Sequence, residues 1–148
     1  MDFTQEDFEI IVGFEFYDGP EDGVAILKSG GGLRFTALAE SKYRIFRAFL
    51  VEEIAGDWIN GFRSLGIEAG VYKPCQAIIL PDSSEADAFK EDIIRAASSK
   101  SYIAVGFPYF WNLKLIEVNR SIISNLMNIN DNDKMFREAH NIVKLRLL

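Results

Sequence analysis

Residues 8–27 read FEIIVGFEFYDGPEDGVAIL, and the fold turns on how they are read. Phe8, Ile10, Val12, Phe14 and Phe16 alternate with Glu9, Ile11, Gly13 and Glu15. Period two with one apolar face predicts a strand lying on a core. GVAILK (23–28) and LRFTAL (33–38) predict two more short strands, with SGGG (29–32) as the turn between them. Joining the first two strands, YDGPEDGVA reads as a hairpin. Pro20 suits the first inner corner of a type I turn. Gly23 can take the positive φ that closes a four-residue loop. The acids then sit at the tip because the tip is wet. The competing reading is a calcium or magnesium loop built on Asp18, Glu21 and Asp22. It needs about six converging oxygen ligands, and the EF-hand spacing is absent, so no metal is expected.

Working outward, KYRIFRAFLVEE (42–53) fits either a strand or a helix, and residues 40–52 carry both patterns. Tyr43, Ile45, Phe49 and Val51 favour a fourth strand over about 43–50, with Arg47 out of pattern. Ile54, Trp58, Ile59, Phe62 and Leu65 recur at helical spacing, and Gly66 stands where a C-terminal cap belongs. QAIIL (76–80) predicts a buried strand. PDSSEADAFKEDIIRAASS (81–99) predicts a helix capped by Ser83 or Ser84, with Ala88, Phe89, Ile93 and Ala96/Ala97 as its stripe. SYIAVGF (101–107) and YFWNLKLIEV (109–118) read as extended, and NRSIISNLMNI (119–129) as helical. DNDKMFREAHNIVKLRLL (131–148) reads either as a final helix or as a short helix followed by a strand. The expected class is α+β: an N-terminal antiparallel meander, a helix, a β-α-β segment able to add a parallel pair, and one or two C-terminal helices. One domain over 1–148 is expected, with a soft boundary near 66–74.

The chain has 148 residues, 49% of them hydrophobic, including twelve Phe, five Tyr and two Trp. That is ample apolar surface for a core. No apolar run approaches the roughly 18 residues needed to span a bilayer. MDFTQEDFEI is acidic where a signal peptide is basic and then apolar. A cytoplasmic protein without a membrane partner is therefore expected. The lone Cys75 leaves no partner for an internal disulfide. The net charge of −6 is uneven: residues 1–22 hold eight acids and no Lys or Arg, whereas the rest of the chain sums to +2. An acidic chain is a poor nucleic-acid binder, because phosphate contacts need clustered cations. The acidic end could instead meet a basic protein or serve only as a solvated surface.

Chemistry-bearing motifs are scarce. SGGG lacks the strand-to-helix setting of a phosphate cradle. NINDNDKMFRE (128–138) lacks the glycine and terminal Glu of an EF-hand, so capping asparagines explain it better. Cys75 and His140 are the only thiol and imidazole, and nothing local makes them a nucleophile and base. The neighbouring acids Glu52/Glu53 and Glu91/Asp92, with Asp57, point apart in any regular element. GFPYFWN (106–112) places Phe107, Tyr109, Phe110 and Trp111 around a proline, as core or as a ligand platform. No cofactor is expected.

The first half also resembles a set of small bacterial proteins. FEFYDGPEDGVAIL, the glycine turn, LRFTAL, the extended YRIFRAFLVEE and a helix carrying DWINGF follow their pattern of a (Y/F)DGP-turn-GVA hairpin and a later Trp-bearing helix. The resemblance covers about residues 10–65. It implies a β-meander followed by a helix and carries over no catalytic residue or activity. The functional expectation is a non-enzymatic protein-binding module, an immunity or regulatory factor, using Glu15, Asp18, Glu21 and Asp22 toward a basic partner. The alternative is a ligand-binding or enzyme domain with a pocket near Phe107–Trp111. A third reading is a homo-oligomer joined by exposed aromatics.

Overall fold

A computed structural model of the chain describes residues 2–16, 20–41, 46–65, 70–72, 77–106 and 113–146. The N-terminal meander is formed by β2 (Phe8–Phe16), β3 (Pro20–Leu27), β4 (Gly32–Glu40) and β5 (Arg47–Ile54), each antiparallel to the next. β6 (Gly70–Tyr72) and β7 (Ala77–Ile79) extend the sheet beyond β2. On the far side, β8 (Ala97–Gly106) pairs with β5, and β10 (Ile116–Val118) pairs with β8. A separate two-stranded ribbon joins β1 (Asp2–Phe3) to β9 (Leu113–Lys114). The helices are α1 (Trp58–Ser64), α2 (Ser84–Arg95), α3 (Arg120–Met127) and α4 (Asn132–Arg146). The protein is α+β, with the sheet order β10-β8-β5-β4-β3-β2-β7-β6.

The β-α-β segment supplies a parallel pair, although not within itself. β7 runs parallel to β2, with Val12 opposite Ile78, while β8 lies on the other flank of the meander. Helix α2 therefore links two strands separated by all four strands of the meander. Among the described residues no helix is long and apolar enough to cross a membrane.

Alternation along the strands divides the core. One face buries Ile11, Ala25, Leu33, Phe35, Phe49, Val51 and Tyr102, with Leu115 and the half-buried Phe3 packed against them. The Phe35 and Phe49 rings meet edge to face at 5.9 Å. Complete burial of such a ring contributes about 3 kcal/mol. The opposite face is covered by helices in two halves. Val12, Val24 and Ile26 pack with Phe62 of α1 and Phe89 and Ile93 of α2. Ala48 and Ile103 pack with Leu126 of α3 and Ala139 and Val143 of α4.

Local signals explain most helix starts. Asp57, Ser83 and Asn119 each accept a hydrogen bond from a backbone N–H in the first turn of α1, α2 and α3. Several expectations are corrected. Ile54 closes β5 rather than opening α1, because Asp57 starts the helix three residues later. Gly66, the expected cap, lies outside the described residues, and Leu65 takes the C-cap position. In α2, Ala86 occupies the buried slot expected of Ala88, which is exposed. The final segment stays helical through Arg146.

The two strands pair as a hairpin, but Pro20 to Gly23 are strand and not its loop. Phe16 pairs with Pro20, and residues 17–19 between them lie outside the described residues. Pro20 opens β3, and Gly23 lies within the strand opposite Gly13. Gly23 is not among the positive-φ glycines; Gly30 and Gly31 of the next turn are, at 95° and 72°. Gly23 is glycine because the chains approach closely: a Cβ there would sit 2.1 Å from the Val12 carbonyl oxygen.

Candidate functional site: an acidic cleft at one end of the meander

The same register brings Glu15 opposite Asp22 and Glu40 opposite Arg47. Irregularities at Gly13/Glu15 and at Ala37/Ala39 bend the strands where these pairs lie. The result is a cleft of about 220 Å³ lined by Glu15, Glu21, Asp22, Thr36 to Glu40, Arg47 and Asn132. Three of the four acids expected from the sequence are therefore brought together. Asp18 lies outside the described residues, as do Phe107, Tyr109, Phe110, Trp111 and Cys75.

Glu21 and Asp22 are neighbours in β3, so alternation sends them to opposite faces. Asp22 is not at a wet tip. It is half-buried on the helical side, where Arg34 Nη1 donates to its Oδ1. The same nitrogen donates to the Phe35 carbonyl oxygen at 2.6 Å and to Thr36 Oγ1 at 2.9 Å. The guanidinium lies 5.7 Å from the centre of the Phe14 ring. Burial pushes the Asp22 carboxyl above its ordinary range. Arg34 opposes that shift, and the charge of Glu15 adds to it.

On the other side, Arg47 is 3% exposed and lies between two acids. Its Nη2 is 3.8 Å from Glu21 Oε1, and its Nε is 3.8 Å from Glu40 Oε2. A buried cation survives in a fold when carboxylates compensate its desolvation. Asn132, at the start of α4, accepts from the Glu40 N–H at 3.0 Å and donates to the Glu40 carbonyl at 2.8 Å. That side-chain amide acts as a short strand partner and ties α4 to the end of β4.

Four carboxylates thus share one cleft with Arg47, while Arg34 is engaged by Asp22 and backbone. Among the described residues the excess charge is negative, and Glu15 is exposed. Chemically this end favours a cationic group and repels anions. Among the described residues no three His, Cys, Asp or Glu side chains converge as metal ligands do. His140 is exposed on α4, with its ring 5.8 Å from that of Phe136. Of the other acids, Glu53 accepts from Tyr102, Asp57 caps α1, and Asp92 pairs with Arg95 on the same helix.

Sequence reasoning missed Arg47, Glu40 and Asn132. For Arg47 a signal existed. Positions 43, 45, 47, 49 and 51 share one face of an alternating segment, and the cation sits in the apolar register. Its departure from the pattern marked an interior charge that requires partners.

The chain matches no family model, no curated protein and no solved structure. Any functional reading therefore rests on the geometry of the cleft.

Proposed function

We propose that this protein is a non-enzymatic binding module that takes a basic segment of a partner protein at the acidic cleft, in an immunity or regulatory role. The observation that carries this reading is the convergence of Glu15, Glu21, Asp22 and Glu40 on one cleft, with Arg47 as its internal counter-charge. Complementary charge of this kind chiefly accelerates association and selects against wrong partners. A lysine or arginine side chain fits the scale of the cleft, and neighbouring basic residues would meet the surrounding acids.

The test separates recognition from folding. Asp22 is unsuitable for reversal, because a lysine there would face Arg34. Glu15→Lys combined with Glu21→Gln alters the cleft and leaves the Asp22–Arg34 pair and Glu40 beside Arg47 in place. It is used only with a urea midpoint matching that of the wild type, which shows that the loss of Glu21 beside Arg47 has not unfolded the chain. The tagged protein and this variant are used to capture partners at low and high salt, with identification by mass spectrometry. A basic protein retained by the wild type, and lost both in the variant and at high salt, supports the reading. Exposed charge pairs each contribute about 0.2–1 kcal/mol, so altering two of them weakens binding about two- to thirtyfold. A partner held equally by both forms would remove the acidic cleft as the docking point.

A further inference from the structure

A second cleft opens at the opposite end of β3, and its chemistry differs. It has a volume of about 440 Å³ and is lined by Phe3, Leu27, the glycine turn, Leu33, Glu53 and residues 54–56. Leu27 and Leu33 project from one face of the sheet, and Phe3 of β1 packs against the same cluster. Leu33 is 1% exposed and forms the floor, whereas Ser29, Gly30, Ala55 and Gly56 are exposed at the mouth. The wall beside the turn depends on glycine. The Gly31 N–H donates to the Gly56 carbonyl at 3.0 Å, and a Cβ on Gly31 would lie 2.9 Å from the Ile54 carbonyl oxygen.

Glu53 is the only ionisable side chain among the described residues of this lining. It stands directly opposite Leu33 in the β4–β5 register, so a carboxylate borders the apolar floor. Its Oε1 accepts a hydrogen bond from the Tyr102 hydroxyl at 3.0 Å. Tyr102 is 6% exposed, and burial together with Glu53 keeps its proton in place up to about pH 12. The tyrosine therefore holds one carboxylate oxygen fixed. Oε2 has no hydrogen-bond or ion-pair partner among the described residues.

We propose that this cleft binds a small amphipathic amine, with its alkyl or aromatic body against Leu27, Leu33 and Phe3 and its ammonium group on Glu53. The volume falls in the usual range for small-molecule sites, which combine apolar walls with a few placed polar groups. A charge-assisted hydrogen bond to the carboxylate selects the cation. A neutral isostere gains the apolar contact alone, and an anionic one is repelled. This site lies at the other end of the strand from the acidic cleft and does not depend on the function proposed for it.

The test is a methyl-detected NMR titration of the full chain with hexylammonium, hexanol and hexanoate. Hexylammonium is expected to saturate at millimolar concentration or below, with shifts centred on the Leu27, Leu33 and Ile54 methyls. Hexanol should bind more weakly and hexanoate not at all. Glu53→Gln keeps an acceptor for Tyr102, and it should weaken hexylammonium about tenfold or more while leaving hexanol unchanged. Leu27→Trp, which fills the cleft, should abolish the shifts in a chain that still shows the wild-type spectrum elsewhere. The proposal is overturned if hexylammonium causes no saturable shift, if hexanoate binds as well, or if Glu53→Gln leaves hexylammonium affinity unchanged.

Discussion

Strand β3 ends in two different environments. Near its start, Glu21 and Asp22 line a cleft shared by four carboxylates and the buried Arg47. Its last residue, Leu27, lines a larger apolar cleft with one carboxylate, beside a turn of three glycines. At the first end, conformation is constrained by charge: Arg34 holds Asp22, and Arg47 lies between Glu21 and Glu40. At the second end it is constrained by backbone shape, with Gly30 and Gly31 at positive φ. The contrast teaches that a cluster of acids in sequence can have a structural share and a free share. Asp22 is structural, whereas Glu15 is available to solvent.

The largest expected effect is at the charged end. Arg47→Ala removes the buried guanidinium that faces Glu21 and Glu40, carboxylates that are themselves 36% and 29% exposed. Losing that packed and charged side chain costs about 3 kcal/mol, read as a shift in the urea midpoint. A loss below about 1 kcal/mol, the range of surface pairs, would show that Arg47 does not organise this end.

Glycine sharpens the comparison next. Gly23→Ala places a methyl group 2.1 Å from a backbone oxygen, and backbone cannot yield as a side chain can. The expected cost is about 3 kcal/mol. Gly30→Ala meets no atom within 4 Å and carries only the strain of its φ of 95°, about 1 kcal/mol. Equal costs at the two sites would contradict the close approach of β2 and β3.

Smaller effects appear in pH dependence, and they mark the two ends separately. Burial raises the Asp22 carboxyl above 3.8 despite Arg34, so the folded state binds that proton more tightly than the unfolded chain. The stability from this group is fully present below about pH 3.8 and is lost as pH rises through the raised value. Asp22→Asn should flatten that part of the curve. Finding that the substitution instead removes a loss of stability on acidification would reverse the sign and contradict the burial argument. At the other end, Tyr102 is raised from 10 to about 12 by burial and by Glu53. Its contribution is present below pH 10 and lost between about 10 and 12, and Tyr102→Phe should abolish that alkaline slope.

Much of the fold was legible because alternation and capping are local. Phe8 to Phe16 showed the first strand, SGGG its later turn, and Ser83 the start of α2. The acidic stretch could be located, but not divided into roles. Turn chemistry and close approach both call for Gly23, and only the pairing with Gly13 separates them. Arg47 interrupts its strand's apolar pattern for a reason that lies in Glu21 and Glu40, which are distant in sequence. Asn132 is tied to a backbone ninety-two positions away. Such contacts are set by register and helix docking, which leave no local trace.

The most direct measurement is an amide-detected NMR titration of the full chain with a lysine-rich peptide at low salt, repeated with Glu15→Lys/Glu21→Gln. Recognition at the acidic cleft predicts saturable shifts at Glu15, Glu21 and residues 36–40, weakened by salt and by the double variant. Shifts spread over the surface without saturation, or an unchanged affinity in the variant, would contradict it.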